Sequence, residues 1–214
     1  MGSERFAAYV AHELRTPLAT QRALLELALG DPSTDIADWR EIGEEVLAAC
    51  RQQERLVEAC LTLARGRDGV QRCEPVDLAA IAADALRTQD RRSLTTVAEL
   101  EPARTSGDPE LVERLVANLV SNAIRHNLPD GRIEIATRTG SGQAVLSVAN
   151  TGLAIPPARL PRLFQPFQRL GSTDGVGLGL SIVQAVADAH HATVTALARA
   201  GGGLGIDVAF PALD

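Results

Sequence analysis

Apolar residues recur in steps of three and four through the first third of the chain, and this rhythm constrains the fold more than any other feature. Val10, Leu14 and Leu18, with Leu25 further on, form one helical stripe in a segment predicted to run from Ser3 to about Gly30. Gly30-Asp31-Pro32 then supplies a glycine stop and a turn. A second stripe, Trp39, Ile42, Val46, Ala49, Gln53, Leu56, Cys60 and Leu63, continues to about Arg65. The charged residues between them, from Arg40 and Glu41 to Glu58, read as a solvated face. Two helices joined by a short loop have one contact seam and cannot enclose both stripes. A second copy of the chain, completing a four-helix bundle, is the expected remedy, so the hairpin predicts a homodimer.

Within the first stripe lies His12-Glu13-Leu14-Arg15-Thr16-Pro17-Leu18. With Leu14 on the partner-facing side, His12 falls at the solvent edge, and Thr16 follows one turn later on the same face. Pro17 brings no N–H to the carbonyl of Glu13 and is expected to bend or loosen the helix.

The 214 residues leave room for two folding units, and a composition of 45% hydrophobic and 22% charged residues is globular. A formal charge of -6 gives no general basis for binding nucleic acid or an anionic membrane. All 21 basic residues are arginine, so any cation that meets a phosphate here is a guanidinium. Cys50, Cys60 and Cys73 are too few and too widely spaced for a metal cluster or a disulfide framework, which points to a reducing compartment. No apolar run reaches the roughly 18 residues of a membrane span, and the chain as given is expected to be cytoplasmic. Met1-Gly2-Ser3 resembles an expression scar, so an upstream region is expected before His12.

Gly66-Arg67-Asp68-Gly69 interrupts the helical rhythm. The expected organisation is a helical hairpin over 4–66, a linker over 67–75 and a second domain over 76–214. That domain opens with an amphipathic helix from Val76 to Leu86, with Asp77 near its start. Strands are expected at about Leu94–Leu100, Arg132–Thr139, Ala144–Ala149, Ala192–Ala198 and Leu204–Phe210. Helices are expected from Pro109 through His126, capped by Asp108, and from Leu178 to His190. The order lacks regular βαβ repeats. It favours an α/β sandwich in which helices cover one face of a mixed sheet.

Four clusters in this domain carry chemistry. In Asn118-Leu119-Val120-Ser121-Asn122-Ala123-Ile124-Arg125-His126-Asn127, the amides of Asn118 and Asn122 leave one helical face, with Arg125 nearby. Two neutral oxygens plus substrate phosphates suit Mg²⁺; the same pair also suits helix capping or solvent. Gly175-Val176-Gly177-Leu178-Gly179-Leu180-Ser181, at a helix start, reads either as a phosphate cradle or as a flexible turn. Asn150-Thr151-Gly152-Leu153-Ala154-Ile155-Pro156 follows a strand, where a polar side chain can read a base edge and Gly152 can admit a ligand. Leu163-Phe164-Gln165-Pro166-Phe167-Gln168-Arg169 is either a lid hinge or a core plug.

In this fixed order the clusters resemble those of the catalytic core of bacterial two-component sensor histidine kinases. His12–Leu18 is similar to the phosphoacceptor box, Asn118–Asn127 to the asparagine box, Asn150–Ile155 to the first glycine box, Phe164–Phe167 to the phenylalanine box, and Gly175–Gly179 to the second glycine box. The resemblance spans nearly the whole chain. It implies a dimerisation and histidine-phosphotransfer domain followed by a gyrase-type ATP-binding domain.

The resemblance further implies that His12 takes the γ-phosphoryl group of ATP and passes it to an aspartate on the receiver domain of a response regulator. Glu13 orients the ring or accepts its proton, and Thr16 serves in dephosphorylating the regulator. Asn122 holds Mg²⁺ with support from Asn118, Arg125 and Arg169 meet phosphates, and His126 lies near the base or sugar. Asn150 and Gly152 meet the base, while Gly175, Gly177, Leu178 and Gly179 close on the phosphates. The full-length protein is expected to be anchored in the bacterial plasma membrane by its upstream region.

Two positions depart from the family pattern. Asn150 stands where aspartate is common and Ala154 where glycine is, which leaves a nucleotide-binding pseudokinase or dimeric scaffold as the alternative. Loss of a charge-assisted hydrogen bond at Asn150 is expected to weaken adenine recognition by about 1 kcal/mol or somewhat more. The short segment from Arg169 to Gly175 implies a small, mobile lid that shields the nucleotide weakly.

Overall fold

The computed structural model describes residues 3–68, 70, 72–90, 93–168 and 177–213. The chain divides into two compact units, Met1–Cys60 and Leu61–Asp214. Helix α1 spans Ser3–Gly30 and α2 spans Ile36–Asp68, so the division falls inside α2. The turn between the helices is built locally. Asp31 Oδ1 accepts from the amide and hydroxyl of Ser33, and Asp35 Oδ1 accepts from the amides of Ala37 and Asp38. Asp38 returns a carboxylate oxygen to the Asp35 amide, closing a reciprocal cap on α2.

Within the first unit the buried or half-buried positions of α1 include Val10, Leu14, Pro17, Gln21, Leu24 and Ala28, and those of α2 include Ile42, Val46, Ala49, Gln53, Leu56 and Cys60. Both sets alternate steps of four and three, the signature of a heptad seam. The stripe expected on α1 needs correction here. Leu18 is 54% exposed and Leu25 38% exposed, because the seam runs through Pro17, Gln21 and Leu24 instead. Gln21 makes the seam partly polar. Its Nε2 lies 3.4 Å from the Val46 carbonyl, Cys50 Sγ and Gln53 Oε1, while Gln53 Nε2 reaches the Leu14 carbonyl at 3.5 Å.

In the second unit, strands β2 (Thr95–Leu100), β4 (Arg132–Gly140), β5 (Gln143–Asn150), β6 (Thr193–Ala198) and β7 (Leu204–Pro211) form a sheet in the order β2-β4-β5-β7-β6. The β2–β4 pair is parallel and the rest antiparallel, so the sheet is mixed as expected. Helices α3 (Leu78–Thr88), α4 (Pro109–Arg125) and α5 (Gly179–Ala189) accompany it. Alternation along the strands puts Ile133, Ile135, Leu146, Val148, Ile206 and Val208 into one core with Leu111, Leu115, Leu119 and Val183 of the helices. On the opposite face Glu134 is held between Arg132 and Arg199, each at 3.1 Å.

Strands β1 (Glu74–Asp77) and β3 (Arg104–Gly107) pair with each other in a separate two-stranded sheet. They correct the expected linker end and the loop before α4. Asp77 caps α3, accepting from the amides of Ala79 and Ala80, so that helix starts at Leu78 and not at Val76. Gly66 does not stop α2 either. A side chain there would meet the backbone of Ala185 in α5 at 3.1 Å, so Gly66 serves close packing within a helix that continues to Asp68.

Candidate functional site

Helix α4 is the spine of the site. Asp108 caps it by accepting from the amides of Glu110 and Leu111, and Pro109 occupies its first turn. A buried histidine holds the same end. His190 Nε2 accepts from the Asp108 amide at 3.0 Å, which makes Nδ1 the donor to the Val186 carbonyl at 2.7 Å. The ring packs edge-on against Phe210, 6.0 Å away. His190 thereby joins the end of α5 to the start of α4, a role that a lone histidine in a sequence does not announce.

Asn118 and Asn122 lie half-buried on one side of α4. Asn118 Nδ2 donates to the Arg114 carbonyl at 2.7 Å, which turns its Oδ1 outward, and that oxygen lies 3.3 Å from where a side chain on Gly179 would begin. Gly179 is the first residue of α5, whose amino end carries no side-chain cap. Its first-turn amides have no helical acceptors and suit an anion. The structure thus brings Asn118 to the described part of the second glycine cluster. Gly177 has φ +72, and a side chain there would crowd the Phe167 backbone at 3.0 Å. Its carbonyl accepts from the Phe167 amide at 2.7 Å, joining this cluster to the phenylalanine cluster. Leu178 is buried beneath it and acts as part of the core.

At the other end of α4 the partners change. His126 is the carboxy-terminal cap, and its carbonyl accepts from Asn150 Nδ2 at 3.4 Å. A side chain on Gly152 would stand 2.7 Å from that carbonyl, so glycine is required for β5 to exit beside the helix. Burial, followed by the neighbouring charge of Arg125, holds the His126 imidazole below its ordinary pKa of 6.5, in the neutral form at pH 7. Residues 118 and 126 are separated by about 12 Å of helix, the scale of an extended nucleotide.

His12, Glu13 and Thr16 belong to the other unit. His12 is exposed and Glu13 half-buried, and the Thr16 hydroxyl donates to the His12 carbonyl at 3.2 Å. Helix α1 is unbroken through Pro17. Arg125 is exposed in the last turn of α4, while Arg169, Gly175 and the expected lid lie outside the described residues.

Volume would point elsewhere. A cleft of about 760 Å³ in the second unit is lined by Leu63, Cys73, Ser106, Phe164, Gln184 and His191, among others. Phe164, Pro166 and Ser181 of the anticipated clusters line it, but none of the asparagines, glycines or arginines expected to meet a ligand does, and the complementary donors and acceptors sit along α4. Among the described residues, no group of three or more His, Cys, Asp or Glu could hold a metal ion. A cation at Asn118 and Asn122 therefore needs oxygens from a ligand, as Mg²⁺ with polyphosphate provides. The side-chain oxygens of an asparagine pair one turn apart on α4 fit that donor set. No described helix is long and apolar enough to cross a membrane.

This geometry sets an uncapped glycine-bearing helix start and a cluster of polar side chains at two places along α4, and known proteins carry comparable domains. The chain belongs to the histidine kinase-, DNA gyrase B- and HSP90-like ATPase family, which matches residues 107–214, and residues 3–69 match the His Kinase A (phospho-acceptor) domain. It resembles bacterial sensor histidine kinase cores. The sensor protein CutS of Streptomyces coelicolor is 42% identical over 218 residues, covering 97% of this chain and 52% of CutS. The mycobacterial sensor histidine kinase MprB is 29% identical with a TM-score of 0.60, covering 65% of this chain and 97% of that structure. The Acinetobacter baumannii histidine kinase AdeS, at 22% identity, shares the fold, with a TM-score of 0.73 over 95% of this chain and 98% of its own. The chain spans about half the length of the curated relatives it matches.

Proposed function

We infer that the chain is the catalytic core of an ATP-dependent protein histidine kinase, with Leu61–Asp214 binding the nucleotide and His12 receiving its γ-phosphoryl group. The observation that carries this is the placement of the Asn118 side-chain oxygen of α4 beside the uncapped start of α5, in a chain that also presents an exposed histidine on a phospho-acceptor helix. The same proposal keeps a phosphotransfer hairpin followed by an ATP-binding domain, with the expected linker over 67–75 narrowed by α2, which runs to Asp68, and by β1, which begins at Glu74.

In the reaction a ring nitrogen of neutral His12 attacks the γ-phosphorus. A P–N bond forms, the bond to the β-phosphate oxygen breaks, and ADP departs. Glu13 accepts the ring proton as the nitrogen becomes bonded to phosphorus. Asn122 and Asn118 would hold Mg²⁺, which when bound neutralises phosphate charge. The guanidiniums of Arg125 and Arg169 would offset charge on the transferring group. Gly177 and Gly179, and by the family resemblance Gly175, would offer backbone amides to the phosphates. An aspartate of a response regulator receiver domain then accepts the phosphoryl group, and Thr16 assists its later hydrolysis. The open Leu18 and Leu25 side chains support a homodimer as the working form. Membrane anchoring is proposed through sequence upstream of this chain.

Incubation with γ-labelled ATP and Mg²⁺ tests the proposal. Acid-labile, base-stable label on the parent and none on His12→Ala is expected, with ADP affinity unchanged by the substitution. No label on a parent whose nucleotide site is demonstrably saturated would leave a nucleotide-binding scaffold as the function.

A further inference from the structure

We propose that His190 is a positioning residue for the Mg²⁺-bound nucleotide: its imidazole fixes how far α5 stands along α4, and with it the gap between Asn118 and the start of α5. The inference rests on the reading of that gap as the place of the cation and the phosphates.

Two contacts define the arrangement. His190, which caps the end of α5, accepts from the amide of Asp108, which caps the start of α4. At the other end of α5, Gly179 comes to the Asn118 oxygen partway along α4. The helices therefore run antiparallel. Ten positions lead from Asp108 to Asn118 and eleven from Gly179 to His190, about 15–17 Å of helix in each case. Two nearly equal lengths pinned at one end place the other.

Between these ends the buried side chains are mostly apolar, among them Leu111, Leu115 and Leu119 on α4 and Ile182, Val183 and Val186 on α5. Apolar contact is non-directional, so it resists separation of two helices more than it resists sliding. A hydrogen bond is directional, and the His190 link opposes the slide.

The link is stiff at each joint. His190 is 5% exposed and its Nδ1 is taken by the Val186 carbonyl at 2.7 Å, so the ring presents Nε2 to α4. A side chain on Gly107 would stand 2.6 Å from Nε2, which means that the backbone leading into Asp108 lies against the ring. His191 has φ +55, and the amides of His191 and Ala192 donate back to the carbonyls of Asp188 and Ala187 at 3.2 and 2.8 Å. That closed turn keeps the end of α5 from fraying. Asp108 is held in turn by the amides it caps and by its carbonyl, which accepts from Val112 at 3.0 Å.

The ligand's parts differ in how much slide they tolerate. Mg²⁺ demands near-fixed distances to its oxygens, whereas an anion at a helix start is shared among several amides. A slip of one residue moves α5 by about 1.5 Å, enough to part an Asn118 oxygen from a cation whose phosphates sit at α5. Loss of the His190 link therefore falls on the Mg²⁺-dependent part of binding.

Two substitutions divide the ring. A glutamine amide can set its oxygen where Nε2 lies and keep an acceptor for Asp108; an asparagine amide reaches only as far as Nδ1 and keeps the bond within α5. In calorimetric titration of the whole chain, His190→Asn is expected to lose at least about tenfold in ADP affinity with Mg²⁺ and less than about threefold in EDTA, with His190→Gln within about threefold of the parent in both. Equal losses for the two variants overturn the inference, as does an His190→Asn loss that is the same with and without Mg²⁺, since a histidine that only stabilises the fold gives those results. If a variant fails to fold by circular dichroism, amide exchange on the parent decides. By linkage, a cation that needs the link also strengthens it, so the Asp108 amide should exchange more slowly with Mg²⁺ and ADP than with ADP alone. Unchanged protection overturns the inference. A parent that binds no ADP, or binds it regardless of Mg²⁺, takes down the reading of this gap as well, whereas Mg²⁺-dependent binding that His190→Asn leaves intact sinks the positioning role alone.

Discussion

The two units solve the burial of apolar side chains in opposite ways. Leu61–Asp214 folds a sheet against helices and encloses its own core, with Leu115, Leu119, Ile133 and Val208 essentially removed from water. Met1–Cys60 has one seam and leaves Leu18, Leu25, Leu27, Leu29, Leu47 and Val57 open. Leu18, Leu25 and Leu29 are spaced by seven and four, so they share a face of α1 that flanks the seam. A self-sufficient core and a half-built one within one chain place stability in the second unit and assembly in the first.

The comparison breaks most readily at that open face. Charging it with Leu18→Glu and Leu25→Glu together is expected to raise the dimer dissociation constant at least about 100-fold, given roughly 2 kcal/mol for each buried leucine. Sedimentation of the variant would show monomers, while its affinity for ADP stays that of the parent. A dimer of undiminished strength would mean that assembly uses another surface.

A smaller effect, on the other unit, sharpens the contrast. Leu115→Ala, at a site with no exposed area, is expected to cost the second unit about 3 kcal/mol by leaving a cavity under α4. Urea unfolding should report that loss with dimerisation intact; a variant that also dissociates would show that the units share one cooperative fold.

The smallest effect concerns pH. Because His126 has its pKa held below 6.5 in the folded unit, the unfolded chain takes up the proton first as the pH falls. That contribution to stability is therefore present above the unfolded value, declines below it, and levels off once the folded ring is protonated as well. His126→Asn should flatten the acid side of the stability profile measured by denaturant titration. An unchanged slope between pH 7.5 and 5.5 would assign the acid sensitivity to other groups.

Much of this was legible from residue patterns, and the failures share a cause. Helix α4 declared itself through Asp108, Pro109 and the spacing of Leu111, Leu115 and Leu119, all local signals. The mixed sheet and its strands followed from alternation. Strands β1 and β3 did not, since Glu-Pro-Val-Asp and Arg-Thr-Ser-Gly are short, carry few apolar residues and draw their order from each other across the chain. Leu18 and Leu25 misled because leucine marks a burial need without saying which partner meets it. The seam was instead filled by Pro17 and Gln21, residues that a hydrophobic pattern overlooks. Gly66 read as a stop because its purpose, contact with Ala185, lies far along the sequence. For Asn150, the residue type was visible and its buried hydrogen bonds were not, because one of the carbonyls that orient it belongs to His126.

The Gln21 layer has a consequence for motion. An all-leucine seam lets a helix turn about its axis by small amounts, trading one apolar contact for another at little cost. Gln21 and Gln53 meet directional acceptors, among them the carbonyls of Val46 and Leu14. Turning α1 away from that arrangement leaves buried amides unmatched at about 1–3 kcal/mol each. The helix that carries His12 is thereby favoured at discrete angular settings, like a detent on a shaft.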